Sequence, residues 1–248
     1  MLKIVNVICD YHDIRGKKEV LKNVSMEINR GEIIGLFGEN GAGKTTLMKS
    51  VLQILKYRGE VFIDNEPISK NNIEKLSFGT CEHTFFPGLT AQMHAEFYKM
   101  YFENFREKRF EALMDFFELP RKKPIRSFST GQKNQFEVIL ALCQGADFVF
   151  LDDPFAGNDV FNREDFYKVL LGILEPTETI VISTHLIEEV ENFISRAVLI
   201  RKGEIVGDTT IIDLEEQGEK LIDYIKERYE YKNRVNKVID TLSGGEAL

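Results

Sequence analysis

Apolar residues along the chain fall in short runs separated by polar or glycine-marked breaks, and the runs follow two different periods. Residues 2–9 and 32–38 read as β-strands, the second nearly all apolar, as a strand covered on both faces is. Helical spacing follows over residues 45–55, and another strand over 60–64. Residues 24–28, 148–152 and 179–184 are further short strand-like runs. Strands alternating with helices predict an α/β protein: a mostly parallel sheet flanked by helices. Ligands of such sheets lie beyond the carboxyl ends of the strands. From residue 87 to 126 the period becomes helical only. Phe97, Tyr101, Phe105 and Arg109 are spaced as on helices, with Tyr98 and Phe102 alongside. This pattern predicts a helical subdomain, about residues 87–145, inserted into the α/β body. Its aromatic residues suit core packing, and one face also suits docking of another protein. Beyond residue 213 the chain turns charged and helical over 215–236, then ends in Ser243-Gly244-Gly245.

Composition narrows the class. With 248 residues, 43% hydrophobic and 29% charged, the chain can bury a sizeable core, and wholesale disorder is excluded. The acidic balance, 40 acidic against 32 basic side chains for a net −8, argues against nucleic-acid binding. No apolar run approaches the roughly 18–20 residues that span a bilayer, and the N-terminus lacks the pattern of a signal peptide. The expectation is a cytoplasmic protein whose membrane contact, if any, comes through a partner. Cys9, Cys81 and Cys143 are scattered, with no CxxC pair, so neither a disulfide framework nor a structural zinc site is expected.

Two segments carry chemistry. Gly38-Glu39-Asn40-Gly41-Ala42-Gly43-Lys44-Thr45 matches GxxxxGK[ST], between an apolar strand and a helix. Glycines let the loop curl so that successive N–H groups face one anion, and the helix N-terminus adds its dipole. Lys44 supplies a cation between β- and γ-phosphates, and the Thr45 hydroxyl, followed by Thr46, completes a Mg²⁺ site. The second segment, Phe148-Val149-Phe150-Leu151-Asp152-Asp153-Pro154, is an apolar strand ending in two acids. Asp152 suits Mg²⁺, directly or through water, and Asp153 suits orienting or deprotonating an attacking water. These features predict a protein that binds a nucleoside triphosphate with Mg²⁺.

Two further motifs lie in order with these: Ser129-Thr130-Gly131-Gln132-Lys133 before the acidic strand, and Ser183-Thr184-His185 after it. Together they resemble the ATP-binding subunit of ABC transporters over residues 1–212, leaving 213–248 as an extension. The resemblance implies a P-loop NTPase fold with an N-terminal antiparallel β portion. It also implies a dimer around two ATP molecules and a transmembrane permease as partner. Ser129, Gly131 and Gln132 would meet the γ-phosphate held by a facing copy. Ser129 and Gln132 equally fit a capping box, S-x-x-Q, and the two roles are compatible. His185 takes the place of the histidine that hydrogen-bonds the γ-phosphate. Asp159 takes that of the aspartate at the dimer interface, and Tyr11 that of the aromatic that stacks on adenine.

The chain departs from the family pattern at two chemical positions. Where a Mg²⁺-ligating glutamine is expected, six residues before Pro87, stands Cys81, with Glu82 adjacent. Thiols are poor Mg²⁺ ligands, so either Glu82 serves or the ion keeps another water. Asp153 stands where the family usually has glutamate, one methylene shorter, which points to slow hydrolysis. Phe-Ser-Thr-Gly-Gln and the Cys-Glu ahead of Phe85-Phe86-Pro87 look like the branch serving peptide and antibiotic exporters. A regulatory or scaffolding ATP-binding protein with little hydrolysis is the alternative. Leu242-Ser243-Gly244-Gly245-Glu246 imitates the signature but follows the acidic strand and has no room for a helix, which marks it as a tail.

Overall fold

The computed structural model describes residues 1–13, 16–83, 85–154 and 161–230. Two sheets organise it. The first is antiparallel, in the order β2-β1-β4-β5, from β1 (Leu2–Asp13), β2 (Gly16–Ile28), β4 (Arg58–Ile63) and β5 (Glu66–Pro67). The second has six strands in the order β10-β9-β3-β8-β7-β6. Its members are β3 (Ile33–Phe37), β6 (Leu76–Gly79), β7 (Phe148–Asp152), β8 (Thr179–Thr184), β9 (Arg196–Arg201) and β10 (Glu204–Thr210). All neighbours in it are parallel except the β9–β10 hairpin at the edge. The mostly parallel sheet is as the patterning predicts, and the antiparallel N-terminal portion is as the family resemblance implies; the β9–β10 hairpin is an element that the patterning does not reveal.

Strand alternation explains why the central runs are apolar throughout. Side chains of period two point to opposite faces, and here both faces are covered. Phe148 and Phe150 of β7, Val181 of β8 and Val198 and Ile200 of β9 pack toward the antiparallel sheet and α1 (Lys44–Val51). Val149 and Leu151, Ile180 and Ile182, and Ala197 and Leu199 face the opposite core. That core is closed by helices α2 (Ala91–Tyr101), α3 (Glu107–Phe116), α4 (Thr130–Cys143) and α5 (Phe161–Ile173).

Among the described residues between β6 and β7, α2, α3 and α4 are the α-helices and there is no strand, as the helical period from residue 87 predicts. The Thr90 side chain caps α2 by accepting from Met93 N–H at 3.2 Å. The aromatic stripe divides. Phe105 and Tyr98 pack on the core, whereas Tyr101 at 63% exposure and Phe86 at 54% stand in solvent. After β8 come α6 (Ile187–Val190) and, beyond the hairpin, α7 (Ile211–Glu216) and α8 (Leu221–Arg228). Within the described residues, the charged helical stretch read over 215–236 holds the end of α7 and the whole of α8. The break falls at Gly218, whose φ of 67° is left-handed backbone that glycine adopts without cost. Residues 231–248, including the tail motif, lie outside the described residues.

One buried ion pair ties the helical insertion to the sheet. Arg109 of α3, placed by its spacing among the aromatic residues, turns its guanidinium onto Glu178, with contacts of 2.9 and 2.7 Å. It also donates to the Leu142 carbonyl at 2.9 Å. Both side chains are nearly sealed from water, and without Arg109 the Glu178 carboxylate keeps only the Arg106 Nε at 3.1 Å as a cationic partner. Arg109→Ala is expected to destabilise the chain by about 3–5 kcal/mol, read as a lower midpoint in urea unfolding with an unchanged slope.

Candidate active site

The loop between β3 and α1 is shaped by two glycines with no substitute. Gly43 precedes α1 at φ 116°, and a Cβ there would come within 2.9 Å of Leu21. Gly38 lies so close to the Ile200 carbonyl that a Cβ would meet it at 2.7 Å. No side chain caps α1, and no acid sits in its first turn. Its free N–H groups therefore face the loop, the arrangement that binds phosphate. The Lys44 ammonium folds across the loop onto the carbonyls of Gly38 at 2.8 Å and Glu39 at 3.4 Å.

Asp152 ends β7 beside this loop. Its Oδ2 accepts the Thr45 hydroxyl at 2.6 Å, and its Oδ1 accepts the hydroxyl of Ser183 at the end of β8. Asp153 follows in left-handed backbone, φ 43°. Its N–H is held by the Ser183 carbonyl at 3.0 Å and hydroxyl at 3.1 Å. Its Oδ1 lies 3.4 Å from His185 Nδ1. The two sequence-predicted catalytic residues are thus neighbours.

A cavity of about 250 Å³ opens over the loop, lined by Asn40, Gly41, Gly43, Lys44, Thr45, Thr46 and Asp153, with Tyr11, Lys18 and Val20 on its far side. Tyr11 is 40% exposed there, a ring free to take a flat partner. Ala42 is buried and fastens the loop from behind, its carbonyl accepting Gly203 N–H at 2.9 Å. The predicted loop residues, Tyr11 and Asp153 are therefore brought together.

Other predicted residues are not. Ser129 and Gln132 form a complete capping box on α4: Gln132 N–H donates to Ser129 Oγ at 3.2 Å, and Ser129 N–H to Gln132 Oε1 at 3.0 Å. Neither they nor Gly131 lines the cavity of their own chain. Asp159 lies outside the described residues. Glu82 does not reach Thr45 and Asp152: its carboxylate pairs with Lys49 and its side chain is 57% exposed. Cys81 turns inward instead, with Sγ 3.4 Å from the Asp153 carbonyl. Burial, reinforced by Glu137, Asp152 and Asp153, pushes its thiol up to about 11, so it stays protonated. Among the described residues no three His, Cys, Asp or Glu side chains cluster as a metal cage. Mg²⁺ needs no such cage beside phosphates: a hydroxyl and one carboxylate fit it, and Thr45 with Asp152 provide them.

Sequence reasoning missed Ser183 as the bridge between the two acids, although it begins the motif that contains His185. It also missed Tyr229, just past α8, whose hydroxyl donates to the Phe37 carbonyl at 3.1 Å, immediately ahead of the loop. Burial, with Glu39 nearby, pushes that phenol up to about 12.

A second cavity, about 140 Å³, lies under the helical insertion, lined by Phe78, Phe85, Phe86, His94, Phe97, Tyr98, Glu137 and Leu140. His94 accepts Phe86 N–H at Nε2 (3.1 Å) and donates from Nδ1 to the Thr90 carbonyl (2.9 Å), which makes it neutral. Burial is the main cause of its lowered pKa.

Comparisons with known proteins give the family and the fold. A family model described as ABC transporter matches residues 21–156. The chain is 29% identical over 225 residues to the ABC transporter ATP-binding protein YtrB of Bacillus subtilis (strain 168), covering 89% of this chain and 75% of that one. It is 29% identical over 208 residues to the linearmycin resistance ATP-binding protein LnrL of the same organism, covering 80% and 67%. Among solved structures, a dimeric ATP-binding cassette in a post-hydrolysis state with ADP and Pi has a TM-score of 0.74 at 24% identity, covering 85% and 99%.

Two outcomes are expected. Lys44→Ala weakens binding of a fluorescent ATP analogue by about 100-fold or more, roughly 2.7 kcal/mol, without moving the melting temperature by more than a degree or two. His94 binds its proton less readily folded than unfolded, so its contribution is present above the ordinary histidine range and is lost as pH falls below about 6.5. Wild-type melting temperature therefore drops between pH 7 and 5, and His94→Gln shows a shallower drop.

Proposed function

Because the chain belongs to the ABC transporter family, we propose that it is the ATP-binding and hydrolysing subunit of a membrane exporter, working as a dimer that closes around two ATP molecules. One observation carries the reading: the phosphate loop, Thr45, which donates to Asp152, and Asp153, which neighbours His185, line one cavity together with Tyr11. In this reading residues 1–212 are the ATP-binding domain and 213–248 an extension. The adenine ring stacks on Tyr11, and the triphosphate lies along the loop amides with Lys44 across its terminal groups.

Thr45 and Asp152 hold Mg²⁺, whose charge offsets that of the phosphates. Asp153 accepts a hydrogen bond from a water aimed at the γ-phosphorus. The new P–O bond forms as the bond to the bridging oxygen breaks, giving ADP and phosphate. His185, 3.4 Å from the same carboxylate, lies where it can donate to a γ-phosphate oxygen. The helix start at Ser129, Gly131 and Gln132, absent from the chain's own cavity, is available to a facing copy's nucleotide, with Asp159 beside that interface. No helix among the described residues is long and apolar enough to cross a membrane. The subunit therefore sits at the cytoplasmic face and meets the membrane through a permease. The exposed Phe86, Met93, Met100 and Tyr101 beside the aromatic cavity are the surface offered to it. The similarity to LnrL, a linearmycin resistance protein, favours antibiotic or peptide cargo.

Two measurements test this. Asp153→Asn loaded with ATP and Mg²⁺ is expected to elute as a dimer; a strictly monomeric chain, alone and beside its permease, overturns the proposal. The shortened acid sets a slow turnover: Asp153→Glu is expected to raise the ATPase rate of the permease complex by about tenfold or more. An unchanged or lower rate removes that part. A complex with no measurable turnover in either form favours the regulatory alternative.

A further inference from the structure

The two places where this chain departs from its family pattern touch each other. Cys81 stands where a longer glutamine is expected, and Asp153 where a longer glutamate is expected. The Cys81 thiol reaches the Asp153 carbonyl at 3.4 Å, across 72 positions of sequence. Asp153 needs holding. Its φ of 43° is left-handed backbone, unusual for a side chain with a Cβ. Ser183 grips its N–H side twice, at 3.0 and 3.1 Å. Among the described contacts, Cys81 supplies the grip on the carbonyl side. The Cα that carries the Asp153 side chain lies between these two grips, and the carboxylate Oδ1 lies 3.4 Å from His185 Nδ1.

We infer that Cys81 is a positioning residue for Asp153: its S–H donates to the Asp153 carbonyl and fixes the aim of a carboxylate one methylene shorter than usual. The inference rests on the ATPase reading above. The thiol's short reach suits the task. From the turn after β6 it ends at the carbonyl, whereas a glutamine would extend about two bonds further and displace the peptide it meets. The neighbourhood holds Cys81 at this depth. His83, two residues on, is tied to α4 by its N–H to Glu137 at 2.9 Å and its ring to Asn134 at 2.8 Å. The thiol is thus assigned to second-hand work on the acid rather than to Mg²⁺, a pairing that its soft sulfur disfavours.

The test is steady-state ATPase of the full chain, or of its permease complex, as Cys81→Ala, Cys81→Ser and Cys81→Gln. Cys81→Ala is expected to lower kcat about tenfold while KM for ATP, the Mg²⁺ half-saturation and the ATP-dependent dimer stay within about twofold. Cys81→Ser, which keeps a donor of similar length, recovers kcat to within about threefold of wild type. Cys81→Gln in an Asp153→Glu background is more active than the product of the two single effects allows, because both lengths then change together. Equal kcat in wild type and Cys81→Ala overturns the inference. So does a serine variant no better than alanine, a fall that tracks melting temperature, or a shifted Mg²⁺ requirement, which makes the thiol a metal ligand. Wild type without any turnover, by contrast, defeats the ATPase reading itself.

Discussion

A single carboxylate joins the parts of the site. Asp152 accepts one hydroxyl from Thr45 at the start of α1 and another from Ser183 at the end of β8. The phosphate loop, the acidic strand and the strand leading to His185 are three separate stretches of chain, and this residue makes them one structure. A buried carboxylate is tolerable here because both oxygens are engaged by donors. In the proposed chemistry it exchanges little: the hydroxyl that now donates to it is the same group expected beside it on Mg²⁺. The site is therefore preorganised around the contact that it uses.

What the sequence makes legible is local. Gly38–Thr45 announces its turn through its glycines, and Gly43 does stand at a φ of 116°, which suits glycine. The strand ending at Asp152 announces itself by being apolar on both faces. What is not legible is long-range. Tyr229 reaches Phe37 across 192 positions, and Arg109 reaches Glu178 across 69. No periodicity distinguishes Arg109 from an exposed helical arginine; only the folded sheet brings Glu178 under it. The β9–β10 hairpin escaped notice for a related reason, since β10 is half-exposed at the sheet edge and lacks a continuous apolar run. Glu82 marks the opposite failure. Adjacency to the expected glutamine position suggested a ligand, but Lys49 lies closer and the side chain turns to water.

The extension after residue 213 acquires a physical link to the nucleotide site that its charged pattern conceals. Leu221, Tyr224 and Ile225 bury the inner face of α8, and Tyr229 then places its hydroxyl on the carbonyl that ends β3. That carbonyl belongs to the residue before Gly38, where there is no space even for a Cβ. That hydrogen bond joins the end of the described chain to the strand that leads into the loop, and Tyr229 does not line the cavity.

Asp153 concentrates the competing demands of the site. Its backbone lies in a region that most residues avoid, its amide is claimed twice by Ser183, and its carbonyl meets Cys81. Strain of this kind persists only where the surroundings over-determine it. A shorter acid has fewer rotatable bonds, so its reach depends more on the peptide that carries it. In the proposed reading both the acid and the residue that faces it are shorter than the side chains that the family resemblance implies at these positions. Lengthening either alone alters the spacing that the other has been fitted to, which is why the two substitutions are better understood as one change than as two independent losses.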